Sequence, residues 1–143
     1  MSKYKFTLYP DLRQFIESQI RYFHENKRQL NSLKNNMIPS QISRYGSHES
    51  IGFDSEKRPT EDISIKIASD RYIFQLELAV NNIEAVYNSL SDMDKEIIRL
   101  KYWDNTLTPE GIALKVGIDK TTMYYRLNNI LVEIARRLGY VDL

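Results

Sequence analysis

Cysteine is absent from the 143 residues, which excludes disulfides and thiolate-bound metals and suits a reducing compartment. Glycine and proline are scarce, at five and four, so collagen-like and low-complexity architectures are excluded and each one present reads as punctuation. No stretch reaches the roughly 18 consecutive apolar residues that argue for a membrane-crossing helix. The opening Met-Ser-Lys-Tyr-Lys-Phe lacks the apolar run of a secretory signal. A cytoplasmic protein without a membrane partner is expected.

Chemistry-bearing groups are lacking as well. His24 and His48 are the only histidines, and no ligand-type residues flank either at metal spacing. There is no glycine-rich phosphate loop and no Ser/His/Asp or Cys/His grouping. The acidic run Asp92, Asp94 and Glu96 suits a helix N-terminus better than a carboxylate site. No metal, no cofactor and no catalysis are expected; the chain does not read as an enzyme.

An excess of either charge is also missing, with 20 basic against 19 acidic residues. The distribution is uneven. Residues 1–37 hold seven basic and three acidic side chains, residues 38–90 five and eight, and residues 91–143 eight of each. The last third is therefore neutral, and any nucleic-acid reading of it must come from pattern.

What is present is helical spacing, and the fold class read from it is all-α. Pro10 can open a helix in which Leu12, Phe15, Ile16, Ile20, Phe23, Leu30, Leu33 and Met37 recur at helical spacing, with Ile16, Phe23, Leu30 and Met37 seven apart. This predicts a long helix over 11–36, ended by Pro39, within an N-terminal helical arm, 1–37. Residues 38–62, rich in Ser and Gly and carrying Arg58-Pro59, read as a flexible loop or linker. Residues 63–90 read as a central amphipathic helix in which Ile73, Leu76, Val80, Ile83, Tyr87 and Leu90 alternate by three and four. Such a seam suits a hairpin within one chain or a homodimer.

The last third, 91–143, carries explicit helix signals. Ser91 caps a helix with Asp94 at its third position. Ile97, Ile98, Leu100, Tyr102 and Trp103 supply its apolar face, and Asp104-Asn105 breaks it. Thr108-Pro109-Glu110 opens the next helix with a cap, a proline at the first position and an acid in the first turn. Gly117 ends it after two turns, and Asp119 caps a third helix that runs to Gly139. A short helix, a glycine turn and a longer helix form the skeleton of a helix-turn-helix. Ile112, Ala113 and Ile118 would pack inside it, and Met123, Leu127, Ile130 and Ile134 form the buried stripe of the third helix. The outward residues near the start of that helix are Lys120, Thr121, Thr122, Tyr124, Tyr125 and Asn128, with Arg126 to one side. These can bond phosphates, touch thymine methyls or reach base edges in the major groove of double-stranded DNA.

The stretches Leu90–Trp103 and Leu107–Leu127 resemble the fourth conserved region of bacterial sigma factors, which implies promoter binding by the helix over 120–138. The layout of a long N-terminal helix and a loop before such a domain resembles the RinA/ArpU group of phage-encoded transcriptional regulators. That resemblance implies an activator of late, packaging-related phage genes, working in a bacterial host and contacting RNA polymerase. The chain departs from the sigma pattern at Tyr124, Tyr125, Asn128 and Asn129, where basic residues are usual. The rival readings are a phage terminase small-subunit-like packaging protein and a helical protein–protein module that binds no DNA.

Overall fold

A computed structural model describes residues 6–35 and 59–142, with the backbone alone at 59–65 and 67. The fold is all-α, and no strand occurs among the described residues. Helix α1 spans Pro10–Arg21 and α2 residues 23–35. They are followed by α3 (Pro59–Ser89) and α4 (Asp92–Ile98), a π-helical turn (Arg99–Asp104), α5 (Pro109–Val116) and α6 (Lys120–Arg137). The chain divides into two compact units, one built from the residues through Phe23 together with those from Ala79 onward, the other from His24–Leu78.

The expected helix over 11–36 is thus interrupted. Tyr22 leaves helical geometry at φ −97°, ψ 15°, in the sparsely populated bridge region. Ile20, Tyr22 and Phe23 are indifferent helix formers, and the Phe23 ring is engaged by Trp103, stacked at a centroid distance of 6.1 Å. Helix α3 begins at Pro59, ahead of the expected 63, and Pro59 takes the first helical position where its missing N–H costs nothing. Met37, Pro39 and the greater part of the expected linker lie outside the described residues.

The first unit is organised around α6. Met123 and Leu127 are buried in its first half, and Ile130, Leu131, Val132, Ile134 and Ala135 in its second. The second half is therefore enclosed on almost every side, whereas the first keeps one exposed face. Ile16 and Ile20 of α1, with 0% and 1% of their surface exposed, belong to the same core, as do Val80, Ile83 and Val86 at the end of α3. Burying side chains of this size contributes roughly 1.5–3 kcal/mol each. The N-terminal helix is consequently part of the packed body that carries α6.

The π-helical turn makes that docking specific. Beyond Ile98 the helix widens, and the Asn105 N–H donates to the Leu100 carbonyl, five residues back, at 3.2 Å. Asn105 closes the turn in the left-handed region at φ 49°, a conformation asparagine tolerates better than most residues. The extra residue in the turn brings Tyr102 into the interior and Trp103 against Tyr87 and Phe23. The Tyr102 hydroxyl donates to Glu17 Oε2 at 2.6 Å, and the Trp103 indole N–H to the Ile20 carbonyl at 2.8 Å. Both bonds end on α1.

Within the second unit, Leu30 and Leu76 are buried and Lys34 Nζ lies 2.5 Å from Glu77 Oε1. Tyr72, Phe74 and Leu78 of α3 are exposed. No helix among the described residues is long and apolar enough to cross a membrane.

Candidate nucleic-acid interface

Three capped helices build the C-terminal part. Ser91 Oγ accepts the Asp94 N–H at 3.3 Å and starts α4. Thr108 Oγ1 accepts the Gly111 N–H at 3.1 Å and starts α5, with Pro109 at its first position. Each cap satisfies an N–H that the helix itself leaves open. Helix α5 ends at Gly117, whose φ of +81° is one that side chains rarely adopt. The N–H groups of Gly117 and Ile118 both return to the Ala113 carbonyl at 3.0 Å, so the chain reverses within two residues. Ile118 packs, half-buried, on the cluster of Ile97, Leu100, Ile112, Ala113 and Met123. Asp119 then caps α6, with Oδ2 accepting the Thr122 N–H at 3.4 Å. A short helix, a glycine turn and a longer helix are therefore held together by a small apolar core that includes Ala113.

The residues expected on the outward face divide into two groups. Lys120, Thr121, Tyr124 and Tyr125 stand exposed on the first two turns of α6, and the Lys120 ammonium lies 5.9 Å from the centre of the Tyr124 ring. The other three are half-buried, and each bonds to another part of the chain. The Thr122 hydroxyl donates to Asp119 Oδ1. Arg126 Nη1 donates to Asp94 Oδ1 at 3.0 Å, joining α6 to α4. Asn128 Nδ2 donates to the Phe6 carbonyl at 3.0 Å, so the segment before α1 crosses α6 at its third turn. The surface open to a large ligand is the N-terminal end of α6.

Its electrostatics are nearly neutral. Lys120 Nζ lies 2.5 Å from Glu110 Oε1 in the first turn of α5. The hydrogen bond from Lys120 holds the Glu110 carboxyl below its ordinary pKa, and the bond to Glu110 raises the Lys120 ammonium in turn. Asp119 is held low chiefly by the Thr122 hydroxyl. Arg99 bridges Glu96 and Asp104. Leu114, 83% exposed, is the most exposed large apolar side chain of α5.

Sequence reasoning missed Glu110 as a partner of Lys120, and Asp94 and Phe6 as partners of Arg126 and Asn128. Glu110 and Lys120 are ten positions apart on different helices, and no local spacing rule pairs them. Among the described residues no group of three His, Cys, Asp or Glu side chains converges as a metal site.

An all-α protein ending in three tightly linked, individually capped helices is the class this architecture defines. The chain belongs to the family described as protein of unknown function DUF722, whose model matches residues 22–136. No curated protein and no solved structure matches it.

Proposed function

We propose that this protein is a sequence-specific, double-stranded DNA-binding regulator of transcription, acting by binding and not by catalysis. The observation that carries the reading is the pairing of α5 and α6 across Gly117, which leaves Lys120, Thr121, Tyr124 and Tyr125 exposed at the N-terminal end of a long helix whose second half is packed into the core. In helix-turn-helix proteins that end of the second helix meets base edges in the major groove. Here Thr121, Tyr124 and Tyr125 are the base-reading candidates and Lys120 the phosphate contact. Thr122, Arg126 and Asn128 support the face instead of forming it. The resemblance to sigma region four and to the RinA/ArpU regulators extends the proposal to activation of late phage genes, through RNA polymerase, in the bacterial cytoplasm.

Selection of bound duplexes from a random DNA library with the intact protein at moderate salt tests this directly. One enriched motif supports the reading, and two half-sites about one helical turn apart add a homodimer. No enrichment, with no duplex retained even at low salt, overturns it. The second reading, a protein–protein module, draws on the neutralised cations and the exposed Leu114, and it predicts that negative result.

A further inference from the structure

Two helix N-termini meet at the exposed end of this unit, and each carries a carboxylate. Glu110 sits in the first turn of α5 and Asp119 caps α6. A helix N-terminus attracts phosphate through its unpaired N–H groups and its dipole, and a side-chain carboxylate there takes the same place. Glu110 does more, because it also holds Lys120, the one cation in the first turn of α6, at 2.5 Å. Both side chains reach water, Lys120 with 48% and Glu110 with 64% of its side chain exposed. A pair so exposed is held weakly and exchanges readily for another anion.

We infer that Glu110 is an internal competitor of the DNA backbone for Lys120 and sets the affinity of the interface; the inference rests on the DNA-binding reading above. When a phosphate takes Lys120, the Glu110 carboxylate is left without its partner beside a polyanion and opposes the contact. The contact then releases less net counterion than a free lysine would, so the dependence on salt is shallow as well. The neutral face is in this account a device that keeps non-specific binding low, because the lysine adds little until Thr121, Tyr124 and Tyr125 have found their base pairs.

The test is a double-mutant cycle on DNA affinity, using the motif recovered by selection and an unrelated duplex, across a range of salt. Glu110→Gln keeps the shape and polarity of the side chain and removes its charge. In the otherwise native protein it is expected to tighten binding to both duplexes by about two- to fivefold near ~0.1 M salt and to steepen the salt slope by up to ~0.9. In a Lys120→Gln background the same substitution is expected to give a clearly smaller gain, because only the general repulsion between the carboxylate and the DNA is then relieved. An equal gain in both backgrounds overturns the inference, because it reports removal of a negative charge and not release of Lys120. No gain overturns it too, as does weaker binding with lost preference at one base pair, which would make Glu110 a base reader. Failure of the native protein to retain any duplex at low salt sinks this inference and the DNA-binding reading together.

Discussion

The Tyr102 hydroxyl reaches across 85 positions of sequence to donate to Glu17 Oε2 at 2.6 Å. The bond joins the π-helical turn to α1, and Glu17 is also within 3.4 Å of Arg13. Burial above all, and then the bond to Glu17, raises the Tyr102 phenol far above its ordinary pKa. An N-terminal helix and the C-terminal helices are thereby tied into one core.

Tyr102→Phe keeps the ring and removes the bond, and it is expected to cost about 1 kcal/mol in urea unfolding. The effect is linked to pH. A phenol raised in the folded state contributes its stability in full below the ordinary value near ~10 and loses it as pH rises further. The native protein should therefore lose stability more steeply above about pH 10 than Tyr102→Phe does. Parallel alkaline limbs for the two proteins would contradict the assignment.

A fragment of residues 91–143 contains α4, α5 and α6 but lacks Ile16, Ile20, Val80, Ile83 and Val86. It is expected to bind a hydrophobic dye and to unfold without a sharp transition. The full chain, followed by the fluorescence of its single tryptophan, Trp103, should unfold cooperatively. A sharp transition in the fragment would show that α1 and the end of α3 are dispensable.

The turn between α5 and α6 makes a local prediction. An added Cβ at Gly117 meets nothing within 4 Å, so Gly117→Ala tests backbone strain alone at φ +81°; the cost is expected to be about 1 kcal/mol. Asp119→Ala removes the cap of α6 and should lower the thermal midpoint by a few degrees, whereas Asp119→Asn should retain most of it. Because the Asp119 carboxyl is held low, its contribution is present above about pH 4 and lost as pH falls below that. Thermal melts of Asp119→Asn should accordingly be less sensitive to acid than those of the native protein.

At the proposed interface, substitutions should separate by role. Lys120→Ala is expected to weaken binding to the selected motif and to reduce the salt slope by less than the ~0.9 of an unpaired lysine, because Glu110 already offsets its charge. Thr121→Ala or Tyr125→Ala should relax preference at particular base pairs. Arg126→Ala and Asn128→Ala break the ties to Asp94 and to the Phe6 carbonyl; they should lower stability and leave the selected motif unchanged. A changed motif for Asn128→Ala would return that residue to the reading face.

Local features of this fold were legible in the sequence because their causes are local. Ser91, Thr108 and Asp119 each cap a helix three residues or fewer from the N–H they accept. The α6 stripe of Met123, Leu127, Ile130 and Ile134 follows the helical period. The π-helical turn left a trace, since Ile97, Ile98, Leu100, Tyr102 and Trp103 cannot share one face of a regular helix. The docking of α1 and the internal partners of Lys120, Arg126 and Asn128 left no trace of that kind. They depend on which helices become neighbours, and periodicity does not encode that. Of the seven residues expected on that face, Lys120, Thr121, Tyr124 and Tyr125 are exposed. Thr122, Arg126 and Asn128 are half-buried and bonded to Asp119, Asp94 and the Phe6 carbonyl, the last two being partners that no local spacing announces.

The bond between Phe6 and Asn128 spans 122 positions, and that distance governs timing. A ribosome emits Ile16 and Ile20 roughly a hundred residues before the α6 side chains that share their core. Contacts so far apart in the chain slow folding. Until the final helix emerges, the nascent chain carries an uncovered apolar helix, of the kind that chaperones protect. The first unit thus closes only once α6 has been made, and a message truncated before α6 would leave α1 with the π-helical turn but without the helix around which the core is organised.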